Sequence, residues 1–397
     1  MSPSQVLFAV ALFGVFLVGL QLVVLRRHAS ARGGEAAALP AVSVLKPLCG
    51  VDEDLWANLE AFGALDYPRF EVLLGVRDPA DPAWPVAADA QARWPGRFRL
   101  VRQKGAPGLN PKVNQLITLA REARHDVLVV SDSNVRVRPG YLREIALHLE
   151  SEEVGLVTHP IVGVGERSLG ALFENLHLAA SVATGMVAAK RLAGRDVVVG
   201  KSMAFRRRDL EALGGFESVK DVLAEDYVLG VKVSAELKKR VAVAAQPVEN
   251  VNQERALGQF VGRYTRWCVM QRKIAGPLVY GSQVFLNPVA FAAAGAALSP
   301  GAASAALLGA VCAAKAILDD AAARTLRGTG FRWRWLVLVP VKDLLFAVAW
   351  VRGFVENTVN WRGNRLRVLP GSALAPVSGH ALEEPLTDVE GTLATEP

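Results

Sequence analysis

The chain has 397 residues, of which 51% are hydrophobic and 21% are charged, and its formal net charge is +7. This length allows two or three domains, and its three cysteines are too far apart and too few to form a disulfide framework or a metal cluster. The positive charge is not concentrated in one basic run, so we expect no nucleic-acid partner, whereas contact with anionic lipid headgroups fits the charge.

The N-terminal segment predicts a membrane anchor. Residues 6–25 are apolar except for one glutamine, which is long enough to span a bilayer. Two arginines and a histidine follow directly, so the positive-inside rule predicts that the next domain is cytoplasmic. A cleaved signal peptide is the alternative, because residues 29–31 resemble a cleavage site, but no charge precedes the apolar core. We predict an anchor over residues 1–28 and a linker over residues 29–40.

The next segment predicts an α/β domain over residues 41–275. Short apolar runs of strand length alternate with helical stretches. The predicted strands are residues 42–45, 71–76, 97–101 and 127–130, and the predicted helices are residues 54–65 and 112–123. This alternation is typical of a mostly parallel sheet, in which ligands bind at the carboxyl ends of the strands.

Polar residues stand at those strand ends. Asp132 follows a buried strand and could bind Mg²⁺ or Mn²⁺ together with waters and phosphate oxygens, although an Asx-turn or a helix cap gives the same pattern. Asp78 lies in a proline-rich segment that suits either ligand recognition or a simple turn. Lys46 and Lys112 are donors near the same edge, with ordinary surface lysines as the alternative.

The pair Glu225-Asp226 precedes a predicted helix over residues 227–237. Asp226 is a candidate general base, because a carboxylate within hydrogen-bond reach of an alcohol can take its proton. A helix N-cap is the structural alternative for this residue.

A basic-aromatic motif follows at residues 263–267. Arg263 and Arg266 are three positions apart, so both guanidinium groups lie on one helix face and could clamp a pyrophosphate. The indole of Trp267 could pack over a sugar or a lipid. A basic amphipathic helix at the membrane interface is the alternative, and both interpretations are compatible.

Residues 276–355 predict membrane or interfacial helices. We predict two short helices, at 283–299 and 301–318, separated by a Ser-Pro-Gly break; a hairpin that enters the bilayer without crossing it is the alternative. A third helix, at 335–351, contains Lys342-Asp343, a pair that must face protein or water if it lies at depth.

Residues 356–397 predict a basic segment and, from residue 371, a disordered tail. The basic run indicates the cytoplasmic side of the membrane, whereas a strict count of crossings places it outside. The sequence leaves this conflict open.

Together these segments resemble the ceramide glucosyltransferase family of inverting glycosyltransferases, close to the hopanoid-associated glycosyltransferases. The matching stretches, in family order, are residues 42–52, 65–68, 78–82, 110–112, 132–133, 200–203, 225–227 and 263–267. The resemblance implies an α/β GT-A-type nucleotide-sugar-binding domain with a mostly parallel sheet, flanked by N- and C-terminal membrane helices.

The resemblance also implies a role for each candidate residue. The implied catalytic residues are Asp226 as the base and Arg263, Arg266 and Trp267 as the closing motif; the implied substrate-binding residues are Asp78, Lys46, Lys112 and Glu225; the implied ligand of Mg²⁺ or Mn²⁺ is Asp132. Asn134 stands where many metal-dependent transferases carry a second aspartate, and this is usual in the family. Animal members of the family carry a functional histidine that corresponds to a position in the 180s of this chain, and no residue here matches it.

The function implied by the resemblance is transfer of a hexose, glucose from UDP-glucose, to a lipid hydroxyl such as that of ceramide, with inversion. The expected partners are a UDP-sugar, a membrane lipid acceptor and the bilayer. One alternative is an N-acetylglucosaminyltransferase acting on a hopanoid polyol. A processive polysaccharide synthase is disfavoured, because such enzymes usually carry glutamine where Arg263 stands. A non-catalytic membrane scaffold is disfavoured by the presence of all three aspartates.

Overall fold

The computed structural model describes residues 1–31, 33–361 and 364–377. The helices are α1 (Pro3–Ala29), α2 (Leu55–Gly63), α3 (Ala83–Arg93), α4 (Pro111–Glu122), α5 (Tyr141–Leu149), α6 (Leu169–His177), α7 (Thr184–Ala193), α8 (Arg207–Ala212), α9 (Glu225–Ala235), α10 (Leu257–Ala275), α11 (Pro277–Ser282), α12 (Pro288–Leu298), α13 (Ala302–Arg327), α14 (Trp333–Leu336) and α15 (Val339–Val355). A π-helical turn, Leu178–Ala183, joins α6 to α7, and short 3₁₀ turns occur at Phe216–Val219, Gln283–Leu286 and Pro370–Ser372.

The strands are β1 (Val42–Pro47), β2 (Phe70–Val76), β3 (Phe98–Arg102), β4 (Val127–Ser131), β5 (Val135–Arg136), β6 (Val154–Thr158), β7 (Ile161–Val164), β8 (Ser202–Arg206), β9 (Arg240–Val243), β10 (Val248–Val251), β11 (Thr358–Trp361), β12 (Asn364–Val368) and β13 (Leu374–Pro376). Seven of them form the central sheet in the order β3-β2-β1-β4-β8-β6-β9. Only β8 runs antiparallel to its neighbours, so the predicted mostly parallel α/β sheet is confirmed.

The register of the sheet follows from its apolar sequence. Val44 of β1 lies opposite Val72 of β2 and Val129 of β4, and all three are fully buried. Strands covered on both faces by helices read as continuous apolar runs, as these do. The chain continues from β1 to β2 on one side and later adds β4 on the other. The gap between β1 and β4 is therefore the switch point, where ligands bind in open α/β sheets.

Among the residues that the structure describes, two helices, α1 and α13, are long and apolar enough to cross a membrane. Residues Pro277–Leu286 and Pro288–Leu298 would add a third span if this pair, bent by 74°, counts as one crossing. The sequence predicts the break before residue 301 correctly, but α13 extends to Arg327 rather than ending near residue 318.

The course of these helices follows from two contacts. The hydroxyl of Ser4, at the start of α1, donates to the Gly295 carbonyl near the end of α12 at 2.7 Å. At the end of α13, Arg327 pairs with Glu166 of the α/β domain at 3.0 Å. The segment that ends in α12 therefore runs away from the α/β domain, and α13 returns to it.

A buried ion network joins α13 to α15. The Lys342 ammonium lies 2.8 Å from Asp319 and 2.9 Å from Asp343 and is completely buried. Lys315 pairs with both of these aspartates. The predicted Lys342-Asp343 pair thus faces protein interior, where two ammonium groups balance two carboxylates.

Residues 364–376, which we call the C-terminal strap, fold back onto the α/β domain. Within it β12 pairs with β13, and the Leu374 N–H donates to the Asp221 carbonyl at 2.7 Å. The prediction of a disordered tail from residue 371 is therefore wrong for residues 371–376, because backbone pairing and apolar packing order them. Residues 378–397 lie outside the described residues. These contacts place the strap directly against the α/β domain.

Candidate active site

The site is built around Lys112, at the start of α4. The side chain of Asn110 caps this helix by accepting from the Val113 N–H at 3.1 Å, which fixes Lys112 in the first turn. The Lys112 ammonium lies 2.9 Å from Asp132 Oδ1 and 2.9 Å from Glu225 Oε1, and it donates to the Gly200 carbonyl at 3.0 Å. One cation thus joins the end of β4, the start of α9 and the loop before β8.

Asp132 lies directly after β4 and is held by two ammonium groups. Its second oxygen, Oδ2, is 2.9 Å from Lys201 Nζ, which also donates to Asn134 Oδ1 at 2.7 Å. Burial by itself would raise the pKa of Asp132, but Lys112 and Lys201 overcome that effect and hold its pKa well below the usual value. The carboxylate is therefore ionised at neutral pH.

Lys46 is a correction to the sequence prediction. Its side chain is completely buried, and its ammonium donates to the Asp132 carbonyl at 2.6 Å and lies 3.4 Å from both Ser131 Oγ and the Val135 carbonyl. Burial lowers the pKa of Lys46 to about 7, although Asp132 opposes this shift. Lys46 supports the loop that carries Asp132 from behind, and does not line the substrate cavity.

Asp226 is the second residue of α9, and Ala224 occupies the N-cap position, so the N-cap alternative for Asp226 is wrong. Its carboxylate accepts from the Gly200 N–H at 2.5 Å and from the Tyr227 N–H at 2.8 Å. Burial, together with the negative charge of Glu225, raises the pKa of Asp226 to about 7. A carboxylate with such a pKa is a stronger base than an exposed aspartate.

Gly200 has a role that local sequence patterns do not reveal. A Cβ atom at this position would lie 2.9 Å from Asp226 Oδ2 and 3.1 Å from Lys112 Nζ. A side chain at this position would force the Asp226 carboxylate to shift away from the loop before β8. Gly200 and Lys201 are 68 and 69 residues from Asp132 in the sequence, and the only sequence signal for them is the family-like stretch 200–203.

The basic-aromatic motif lies on α10 beside this cluster. Arg263 pairs with Glu174, a carboxylate that is almost completely buried on α6. Arg266 and Trp267 line the cavity with Arg263, as the three-residue spacing predicts for the two arginines. The motif is thus part of the site and is anchored to the domain through Glu174.

One cavity of about 1120 Å³ includes these groups. At one end it is lined by Lys112, Asp132, Lys201, Glu225 and Asp226. Toward α10 and α11 it is lined by the apolar side chains of Met270, Ile274, Ala275 and Val279, by Leu366 of the C-terminal strap, and by Gln271 and Gln283. A charged part of the cavity therefore continues into a mainly apolar part at α10 and at α11, where the bent membrane pair begins.

The structure places Asp78 in a short turn after β2. Among the described residues that line the cavity, Arg77 is present and Asp78 is not. The Asp78 carboxylate accepts from the Ala80 N–H at 2.9 Å, which closes a short turn. The turn interpretation of Asp78 describes its geometry, because the proline-rich sequence that follows β2 directs its side chain back onto its own backbone.

The protein alone supplies only part of the ligand set that a divalent cation needs. No group of three His, Cys, Asp or Glu side chains capable of holding a metal occurs within the described ranges. Asp132 Oδ1 is buried and makes no aligned hydrogen bond, although the Lys112 ammonium lies 2.9 Å away. Mg²⁺ is commonly held by one or two carboxylates with substrate phosphates and water as its other ligands, and Asp132 meets that requirement.

A mostly parallel sheet with its polar cluster at the switch point, and apolar helices before and after it, defines a protein of the GT-A-type fold. A mannosyltransferase from Pyrobaculum calidifontis, solved with GDP-mannose and Mn²⁺, has a related fold, with a TM-score of 0.50 and 20% identity over 87% of this chain and 99% of the other. The chain belongs to glycosyl transferase family 21, whose model matches residues 6–374. The resemblance predicted from the sequence is therefore confirmed.

Two relatives from Caenorhabditis elegans extend this comparison. Ceramide glucosyltransferase 1 is 28% identical over 269 residues, which are 67% of this chain and 57% of the relative. Ceramide glucosyltransferase 3 is 26% identical over 264 residues, which are 66% of this chain and 56% of the relative. The alignments span a little over half the length of these relatives.

Proposed function

We propose that this protein transfers a hexose, glucose from UDP-glucose, to the hydroxyl of a membrane lipid such as ceramide, with inversion at the anomeric carbon. The observation that carries the proposal is the single cavity in which a lysine–carboxylate cluster continues into an apolar end beside the membrane helices. The two arginines and the histidine after residue 25 favour a cytoplasmic position for the α/β domain.

Asp226 is the base in this proposal. It takes the proton of the acceptor hydroxyl while the acceptor oxygen bonds to the anomeric carbon and the bond from that carbon to the diphosphate oxygen breaks. The hydrogen bonds from the Gly200 and Tyr227 N–H groups orient the carboxylate. Its raised pKa fits a group that exchanges a proton near neutral pH.

The departing diphosphate needs positive charge at the other side of the reacting carbon. Lys112, Lys201 and Arg266 line the cavity and can supply it. A Mg²⁺ or Mn²⁺ ion held at Asp132 would neutralise charge on the diphosphate as a Lewis acid. Arg77, which lines the cavity beyond β2, replaces Asp78 as our candidate contact for the nucleotide.

The apolar end of the cavity supports a lipid acceptor. Met270, Ile274 and Val279 line it, and Leu278 beside them is 88% exposed. An alkyl chain that lies against these side chains would leave its hydroxyl near Asp226. A hopanoid polyol with N-acetylglucosamine as the sugar is the second candidate, because the same apolar surface suits a triterpenoid.

The base assignment is tested by Asp226→Asn. We expect transfer to fall by about 10²- to 10⁴-fold, the usual contribution of a general base, while UDP-sugar binding is retained, because the amide preserves the shape of the side chain. The matched control is Asp89→Asn, which changes an exposed carboxylate on α3 and should leave transfer at the wild-type rate. Loss of donor binding together with turnover would contradict the assignment.

The substrates are tested by incubating the purified protein with UDP-glucose or UDP-N-acetylglucosamine and with ceramide or a hopanoid polyol, with Mg²⁺ or Mn²⁺ present. Lipid products are identified by mass. We expect a hexosylceramide. An aminosugar on the hopanoid would move the proposal to the second candidate, and the absence of any glycolipid would refute it.

A further inference from the structure

The C-terminal strap contacts the loop that leads into the catalytic helix α9. Three hydrogen bonds join them across about 150 residues of sequence. The Leu223 N–H donates to the Ser372 carbonyl at 2.8 Å, and the Leu374 N–H donates to the Asp221 carbonyl at 2.7 Å. The Ala224 N–H donates to the Ser372 hydroxyl at 2.9 Å. Two of these bonds pair backbone with backbone, and the third depends on one side chain.

The Ser372 side chain acts at Ala224, the residue directly before α9. Ala224 is the N-cap of α9, and Asp226 follows two residues later. The N–H groups at the start of a helix have no partner within the helix, and a serine hydroxyl is a common acceptor for them. Here the acceptor comes from a distant segment, so the start of α9 is fixed relative to the strap.

Ser372 holds an unfavourable backbone conformation. Its φ angle is +67°, in the left-handed region that non-glycine residues rarely adopt, and it is completely buried. The preceding residue, Gly371, also has a left-handed φ of +68°. Glycine would be favoured at position 372 if only the backbone turn mattered. The serine hydroxyl is the group that a glycine would lack.

The opposite side of the same loop is held by α4. The Asn110 side chain donates to the Val222 carbonyl at 2.8 Å and to Glu225 at 3.3 Å. Because Asn110 also caps the helix that carries Lys112, the loop lies between the lysine-bearing helix and the strap. Displacement of the loop would change the position of Asp226 relative to Lys112.

An apolar cluster links the strap to α10 as well. Leu223 of the loop and Val269 of α10 are buried together with Val359, Leu366, Val368 and Leu374. Leu366 in addition lines the cavity. The strap therefore contacts the loop before the base-bearing helix, the helix of the basic-aromatic motif and the cavity.

We propose that Ser372 is a positioning residue for Asp226, and that the C-terminal strap sets the geometry of α9 in the transfer reaction. This inference rests on the proposed function, because it assumes that Asp226 is the base. The Ser372 hydroxyl does not touch the substrates; it acts through the Ala224 N–H.

The test compares Ser372→Ala and Ser372→Gly in the full-length protein. Both variants remove the hydroxyl, but glycine also relieves the left-handed backbone, so the glycine variant should unfold at a higher temperature than the alanine variant. We expect kcat to fall in both by roughly tenfold or more, since a displacement of about 1 Å can cost on the order of 100-fold. The KM for the UDP-sugar should be unchanged. Arg367→Gln, on the exposed side of β12, is the control and should keep wild-type kcat.

A purely structural role makes a different prediction. In that case kcat would follow stability, and Ser372→Gly would retain wild-type turnover; that result overturns the inference. Failure of the proposed function is recognised separately, because the wild-type protein would then form no glycolipid. Wild-type transfer combined with equal loss of kcat in both Ser372 variants supports the positioning role.

Discussion

Replacement of Lys46 by methionine separates the two roles that this residue could have. A lysine that binds substrate would affect the KM for the donor and leave the fold intact. The structure instead makes Lys46 a buried support for the loop after β4, with its ammonium 2.6 Å from the Asp132 carbonyl. We therefore expect Lys46→Met to lower stability and to reduce donor binding only as a consequence of a displaced Asp132.

The magnitude follows from the contacts that are lost. A hydrogen bond from a charged donor contributes about 1.5–3 kcal/mol, and the buried carbonyl left without its donor adds a cost of about 1–3 kcal/mol. The two contacts at 3.4 Å, to Ser131 Oγ and the Val135 carbonyl, add little. Methionine has nearly the same length and fills the same space, and it removes the cost of burying the ammonium. The net destabilisation is then about 3 kcal/mol.

A destabilisation of this size is readily measured. It corresponds to a decrease in Tm of about 6–12 °C for a domain of this size, measured by tryptophan fluorescence during heating in detergent. The control is Lys104→Met, since the Lys104 side chain is 71% exposed and pairs with Glu122 on the surface, where an ion pair is worth at most about 1 kcal/mol. If the Lys46→Met variant unfolded at the same temperature as the wild-type protein and showed only a higher KM for the donor, our account of Lys46 would be refuted.

Two further predictions concern the charged groups. Burial together with the charge of Glu225 raises the pKa of Asp226 to about 7 against the opposing charge of Lys112. Because protonated Asp226 cannot accept a proton, initial transfer rates should fall as the pH drops through about 7. A rate independent of pH in this range would count against Asp226 as the base. Lys342→Met leaves Asp319 and Asp343 buried with one ammonium between them. Thermal unfolding in detergent should therefore show a decrease of about 3–5 kcal/mol in the free energy of unfolding. An unchanged Tm would show that the network is hydrated.

Local sequence patterns predict the elements of the central sheet because each strand is a short apolar run. The predicted strands at 42–45 and 127–130 correspond to β1 and β4, and the position of Asp132 beside the cavity follows from the carboxyl-end rule for such sheets. Asp226 lies at the start of α9, so this rule does not account for its place beside the cavity. Lys46 could not be assigned in this way, because its burial depends on side chains from several elements. Ser372 gives no local signal, since its partner, Ala224, is 148 residues away.

The charges around Lys112 determine how a cation and a nucleotide sugar would affect each other's binding in the proposed reaction. Asp132, Glu225 and Asp226 supply three carboxylates, and Lys112 and Lys201 supply two ammonium groups, which pair with Asp132 and Glu225. A divalent cation alone would add two positive charges to this cluster, and the diphosphate of a nucleotide sugar alone would add two negative charges. Added together, they leave the net charge of the cluster unchanged. In the proposed reaction, Lys112 and Lys201 would pair with phosphate oxygens, and a divalent cation held at Asp132 would supply positive charge beside that carboxylate. The electrostatics therefore favour joint binding of the cation and the nucleotide sugar over binding of either one alone.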